Sequence, residues 1–284
     1  MTVSLPLLGL AIVAVWLPKQ LTGIPLWLPL FAAAVVSGVF EGVLGAPAVV
    51  ALVALSAATL AAQRVSRRAV AVALQILVAL GALALAMHAI PGFNNPVLAD
   101  QVRISPDAAP YTLRANFDKG TAGLLLLVLF TTPIASLEQW RRVLPPTLLG
   151  AVATASIVIG IALVIGYVRP DAKVPEMAPY FLAINLLFTC IPEEAFFRGL
   201  LQERISSSRL GQAAGVWLPV AASTLLFGVV HFGGGPVFLA LATVAGLGYS
   251  LAYQVTRRIE VAILVHFGVN AIHFFGFTYP YLGR

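Results

Sequence analysis

Ten runs of apolar residues, separated by short polar or basic stretches, set the layout of the chain. They lie near Leu5–Leu17, Leu26–Phe40, Ala48–Ala62, Ala69–Ile90, Gly120–Leu137, Leu144–Val168, Ala178–Ile191, Val216–Phe232, Val237–Val255 and Val261–Phe277. A helix that spans a bilayer needs about 20 mostly apolar residues. Several of these runs reach that length, and the first three fall short of it. Only helices and closed barrels satisfy every backbone group within hydrocarbon, and runs this long exceed what a barrel strand needs. No repeat or low-complexity segment interrupts them. The pattern predicts an all-α polytopic membrane protein, a bundle of about 8–10 transmembrane helices.

Composition agrees with the pattern. Of 284 residues 60% are hydrophobic and 10% charged, against about 25% charged in a soluble domain. Mean hydropathy is +0.96. The net charge of +6 comes from arginines placed between the runs. Arg64, Arg67 and Arg68 form one cluster; Arg141 with Arg142, Arg204 with Arg209, and Arg257 with Arg258 form three more. They alternate with connections of balanced charge, Gly92–Lys119 and Arg169–Met177. Short cytoplasmic loops carry the Lys and Arg excess, so the clusters face the cytoplasm and, with ten spans, both termini face outward. Such charge engages anionic lipid head groups of the bilayer and does not form a nucleic-acid surface. The single cysteine, Cys190, rules out an internal disulfide and a Cys-rich metal site. Lys19 follows the first apolar run and no basic residue precedes it, which reads as an uncleaved segment. The preference for Arg over Lys and the many alanines suit a bacterial inner (cytoplasmic) membrane.

The polar stretch Gly92–Lys119, with Asn94, Asn95, Pro96, Pro106, Pro110 and Tyr111, divides the chain. Residues 1–119 form an N-terminal transmembrane region ending in a long external loop (92–119), and residues 120–284 a second transmembrane region. A loop folded back over the bundle is the alternative to a plain connection.

Chemistry concentrates in the second region. Glu193 and Glu194 follow an apolar run, and each ionisable side chain in hydrocarbon costs about 2.5–3.5 kcal/mol on insertion scales. On an α-helical wheel Glu194 and Arg198 lie about 40° apart and can pair, which leaves Glu193 unpaired by its own helix. Pro192 removes a backbone donor and should kink the helix. Further on, His231 shares a face with Phe227, and His266 shares one with Asn270. Counting about 1.5 Å per residue from Met177 puts Glu193 roughly 24 Å into a core of about 30 Å, hence some 6–9 Å from the cytoplasmic side. His266 lies about 9 Å from that side, counted from Glu260, and His231 about 21 Å from it, counted from Trp217. Gly233-Gly234-Gly235-Pro236 cannot continue a regular helix. A break at membrane depth requires surrounding protein or a water-filled cavity, and such a cavity is expected here.

Three motifs in order, Glu193-Glu194-x-x-x-Arg198, Phe227-x-x-x-His231 and His266-x-x-x-Asn270, resemble those of the CAAX prenyl endopeptidase and bacteriocin-processing (CPBP) family of intramembrane proteases. The resemblance extends over about residues 120–284. It implies an intramembrane endopeptidase acting on a membrane-associated peptide or protein. It implies that Glu193 activates water with the help of His231, that His266 and Asn270 stabilise the oxyanion, and that Glu194 and Arg198, with Phe227, support the site. A glutamate-activated water needs no metal. The metal-dependent alternative is a zinc site of Glu193, His231 and His266. The rival classes are a proton-coupled secondary transporter, which would repeat its polar breaks in both halves of the chain, and a catalytically silent immunity or scaffold protein. His273 reads as packing one turn beyond Asn270, and His88 and Glu41 as interfacial residues. The motifs report peptide hydrolysis, not prenylation of the substrate.

Overall fold

A computed structural model describes residues 3–17 and 23–283. Lys19, on which the reading of an uncleaved N-terminal segment rests, lies outside the described residues. Each apolar run folds as a helix. In chain order these are α1 (Ser4–Val13, continued by a 3-10 turn over Ala14–Trp16), α2 (Trp27–Phe40), α3 (Ala46–Arg64), α4 (Arg68–Ala86), α5 (Phe117–Phe130), α6 (Leu137–Val164) and α7 (Ala178–Ser207). After a short α8 (Arg209–Ala214) come α9 (Trp217–Val230), α10 (Pro236–Thr256) and α11 (Ile259–Gly276). Among the described residues, six of them, α3, α4, α6, α7, α10 and α11, have the length and apolarity to cross a membrane, and α1, α2 and α9 are shorter apolar helices. The protein is an all-α polytopic membrane protein. Its small sheet pairs β1 (Val97–Val102) with β2 (Tyr111–Arg114), within the connection between the two sequence regions.

Two helices differ from the hydropathy reading for local reasons. The sixth starts at Leu137 rather than near Leu144, because Ser136 caps it: the Ser136 hydroxyl accepts from the Gln139 backbone N–H at 3.2 Å, and Glu138 pairs with Arg142 one turn on. That polar first turn is invisible to a hydrophobicity window. The seventh helix is not α-helical throughout. Its stretches Asn185–Cys190 and Ala195–Gln202 are wide π-helical turns flanking a short α segment, Ile191–Glu194. Proline lacks an N–H and clashes with the carbonyl four residues back, so a widened turn before Pro192 accommodates the ring without breaking the helix. The wheel on which Glu194 and Arg198 stand about 40° apart assumes α geometry, and the widened turn from Ala195 onward corrects that assumption.

The chain forms two compact units that interleave along the sequence: Met1–Val97 with Arg114–Ala135 and Leu187–Phe196, and Leu98–Leu113 with Ser136–Leu186 and Phe197–Arg284. In the first unit α1 packs on α2 and α3 on α4, while α5 runs among α1, α3 and α4. Residues Leu124, Leu125 and Leu127 are fully buried, as expected of a helix apolar on all sides. Two glycines let α5 approach the 187–196 segment closely. A Cβ on Gly120 would stand 2.4 Å from the Phe188 ring, and one on Gly123 would stand 3.0 Å from the Pro192 Cα. One end of this unit gathers the turn after α2 and the start of the polar connection: Gly45 donates to the Gly92 carbonyl at 2.7 Å. There Glu41 accepts hydrogen bonds from the Val3 N–H and the Ser4 hydroxyl, each at 2.5 Å, so it caps the first helix. Desolvation opposes its ionisation, but these hydrogen bonds outweigh it and hold the Glu41 carboxyl below its usual range. Near the other end Gln63, beside Arg64, donates to the Val128 carbonyl at 2.9 Å.

In the second unit α6, α9, α10 and α11 pack together, α9 and α10 as a helical hairpin. Loops of balanced charge meet at one end of it. Arg169 donates to Asp107 at 3.4 Å, Pro170 bridges to Phe277, and Tyr279 donates its N–H to the Ser105 hydroxyl at 3.1 Å. Tyr111, from β2, meets Phe181 and Tyr279 edge-on, and Phe181 stacks on Phe274 at 3.8 Å. At the far end of α10 Arg257 pairs with Glu203 at 2.5 Å.

Cysteines replacing Arg142 and Arg257, whose side chains are 75% and 42% exposed, should react with a membrane-impermeant thiol reagent from the cytoplasmic side alone. The native Cys190 is fully buried and stays silent. Labelling from the external side in sealed vesicles of known orientation would invert the expected topology.

Candidate active site

The motif residues are shared between the two units, and each group has its own geometry. In the first unit Glu193 and Glu194 occupy the short α segment that Pro192 opens. Glu194 is fully buried. Glu193 is not left unpaired, as the helical wheel led one to expect: its Oε1 accepts from Lys119 Nζ at 2.7 Å, with both side chains largely buried. Lys119 closes the polar connection in sequence, but in the fold it belongs to the first turn of α5. Close packing of Gly123 on Pro192 brings that helix into reach. Val128, which Gln63 meets near the basic end, is five residues beyond Gly123, so about 8 Å of α5 at 1.5 Å per residue separates that end from the level where Gly123 packs on Pro192.

Asp118, the residue before Lys119, is itself buried and carries three hydrogen bonds. His88 Nδ1 approaches one of its oxygens at 2.6 Å; the Asn95 amide and the Lys119 backbone N–H donate to the other at 3.0 and 2.8 Å. His88, expected as an interfacial residue, is half exposed and forms the outer end of this network.

In the second unit a single aromatic ring, Phe227, collects the rest. The Phe227 ring centroid lies 4.5 Å from that of His231 and 5.8 Å from that of His266. Beneath it the fully buried Arg198 guanidinium lies 4.7 Å from the same centroid, donates to the Gly246 carbonyl at 2.8 Å and reaches the Ser250 hydroxyl at 3.3 Å. Tyr249 stacks on His266 at 4.4 Å with the rings 16° from parallel. His231 Nδ1 stands 2.6 Å from the Phe227 carbonyl. A carbonyl only accepts, so Nδ1 is the donor of this contact, and the tautomer that makes it keeps its lone pair on Nε2. Asn270 donates to Asn185 Oδ1 at 3.2 Å, which fixes the plane of its amide.

His231 owes its position to the break foreseen in the glycine run. Helix α9 ends at Val230, a 3-10 turn covers Phe232–Gly234, and Gly235 turns the chain at φ +92° before Pro236 opens α10. Only glycine takes that conformation without strain. Gly228 lets the two helices of the hairpin close up, since a Cβ there would overlap Thr243 Oγ1 at 1.9 Å. His273 turns to the Thr278 carbonyl at 3.2 Å and to the Tyr279 ring, a packing role.

Reading by motif missed Lys119, Asn185, Tyr249, Ser250 and Gln202. The last is fully buried and donates to the Ser250 carbonyl at 3.0 Å. Asn185 and Gln202 were open to detection as amides inside a membrane helix; Lys119 was hidden by its place at the end of a polar stretch. Among the described residues no three His, Cys, Asp or Glu side chains are grouped to hold a metal ion.

Residues 175–272, about a third of the chain, match the family described as Type II CAAX prenyl endopeptidase Rce1-like. That stretch runs from the residues before α7 to beyond Asn270 and so encloses all three motifs. Over that stretch the chain is similar to that family. No curated protein and no solved structure matches it. The matched stretch is thus similar to CAAX prenyl endopeptidases, and the chain that carries it has six helices, among the described residues, long and apolar enough to cross a membrane.

Replacing Arg198 by Ala removes the charge that Gly246, Ser250 and Phe227 surround, and should cost about 3 kcal/mol of stability. Arg198→Lys should recover only part of it, because an ammonium lacks the planar fork. Thermal unfolding in detergent reads both; an unchanged midpoint for Arg198→Ala would refute the structural role.

Proposed function

We propose that the protein is an intramembrane endopeptidase in which Glu193 is the general base. Water bound at Glu193 gives up a proton to the carboxylate as its oxygen attacks the scissile carbonyl carbon. His231 assists through its Nε2 lone pair. The oxyanion of the tetrahedral intermediate takes donors from His266 and Asn270. Collapse of the intermediate breaks the C–N bond, and the proton held by Glu193 passes to the leaving amine. Glu194, Arg198 and Phe227 support the site in this reading.

The observation that carries this reading is the seating of His231, His266 and Arg198 on the one Phe227 ring. A lone histidine in a membrane helix is easily a packing residue; two in contact with one aromatic ring that also meets a buried cation suggest a built site. Substrate is a peptide or protein held in or at the bilayer, with prenylation not required. The site faces the cytoplasmic half of a bacterial inner membrane in this reading, which the depth of Glu193 relative to the basic end of its unit supports.

The proposed mechanism uses no metal. The rival is a zinc ion held by Glu193, His231 and His266, whose ligand atoms would have to lie about 2.0–2.2 Å from the ion.

Glu193→Gln keeps the shape and removes the base. It should lower cleavage of a membrane-anchored peptide in proteoliposomes on the order of 10²–10⁴-fold while the variant stays folded. Retained turnover would sink the assignment. Zinc analysis settles the second point: stoichiometric zinc in active enzyme, lost with activity on chelation and restored together with it, would replace the glutamate-only mechanism by the zinc one.

A further inference from the structure

We infer that Lys119 is a positioning residue of the active site, an ammonium that orients the Glu193 carboxylate for its work as base. The inference rests on the function proposed for Glu193 and adds a residue that lies far outside the 175–272 family match.

Three observations lead to it. The first is contact: Lys119 Nζ stands 2.7 Å from Glu193 Oε1, with the side chains 20% and 13% exposed. A charge-assisted hydrogen bond at that length in a poorly hydrated site fixes the carboxylate plane as well as attracting it.

The second is the way Lys119 is held. Its own N–H bonds to Asp118 Oδ1 at 2.8 Å, and that carboxylate is gripped by Asn95 and His88. Asn95 in turn accepts the Phe117 N–H at 2.8 Å. The first turn of α5 is pinned at Phe117, Asp118 and the lysine's own N–H, so the ammonium is delivered from a held backbone. A flexible surface lysine would need none of this.

The third is cost. Asp118 and Lys119 are charges at the head of a helix that is otherwise buried, and Gly120 and Gly123 are reduced to hydrogen side chains so that this helix can lie against the segment carrying Glu193. Neutral residues at 118 and 119 would suit a purely apolar contact better. Retention of the two charges is explained if the lysine serves the glutamate.

Reconstituted full-length enzyme with a membrane-anchored peptide tests this. Lys119→Met keeps the volume and removes the charge. It should lower kcat roughly 100-fold with little change in KM, the loss expected when a reacting group is misplaced by about 1 Å. Lys119→Arg should recover part of kcat. Lys119→Ala should regain activity in added ethylamine or propylamine but not in acetamide, a dependence on charge that a merely structural lysine would not show. The Glu193→Gln enzyme, assayed beside them, separates the two claims. If it is inactive while Lys119→Met turns over at the parental kcat, the positioning role is overturned and the base assignment stands. If Lys119→Ala ignores amines, the role is likewise overturned. If Glu193→Gln is active, both fall.

Discussion

Everything in the second unit is arranged around one buried cation. Arg198 has no exposed surface, and a guanidinium cannot shed its charge to lower the cost of burial. Its neighbours must therefore supply what water would: a backbone carbonyl at Gly246, a hydroxyl at Ser250, and the faces of Phe227 and Tyr249. These demands propagate. Gly246 is small because a Cβ would stand 2.9 Å from the Phe227 ring, and Ser250 is shared with Gln202 and Thr224. Phe227 and Tyr249, placed to meet the cation, also contact the histidines: His231 lies against Phe227 and His266 stacks on Tyr249. The same aromatic pair thus joins the buried cation to both histidines.

The first unit solves a different form of the same problem. Lys119 reaches Glu193 across segments distant in sequence, and Asp118 beside it is hydrogen-bonded by His88 and Asn95. An ion pair of this kind offsets the cost of burying either member alone. It also ties the middle of α7 to the head of α5 by a polar contact where the surrounding packing is glycine against proline and phenylalanine.

Much of this was legible in the chain and some of it was not, and the division has a physical basis. Apolar runs report helices because a hydrocarbon solvent leaves the backbone little choice. The break at Gly233–Pro236 was readable because glycine and proline act on their own neighbours. The order of the three motifs was enough to name the candidate site residues. What escaped reading was of two kinds. Backbone variation, the π-helical turns beside Pro192, leaves no signature in hydropathy. Partners supplied by another helix, Lys119 for Glu193 and Tyr249 for His266, depend on packing that sequence spacing does not encode. The seven-residue extension of α6 lay between, since its Ser136 and Gln139 form a capping pattern that a search for apolar length alone passes over.

The shortness of the helix that ends at His231 carries a consequence for the membrane itself. Fourteen residues make about 21 Å of helix, some 9 Å less than the hydrocarbon slab of about 30 Å. Hydrophobic mismatch of this size is met by drawing the lipid surface inward or by letting the polar turn sink below it. Either way the polar, glycine-rich turn is brought nearer to the middle of the slab than the end of a full-length span would be, and with it the water that the turn carries.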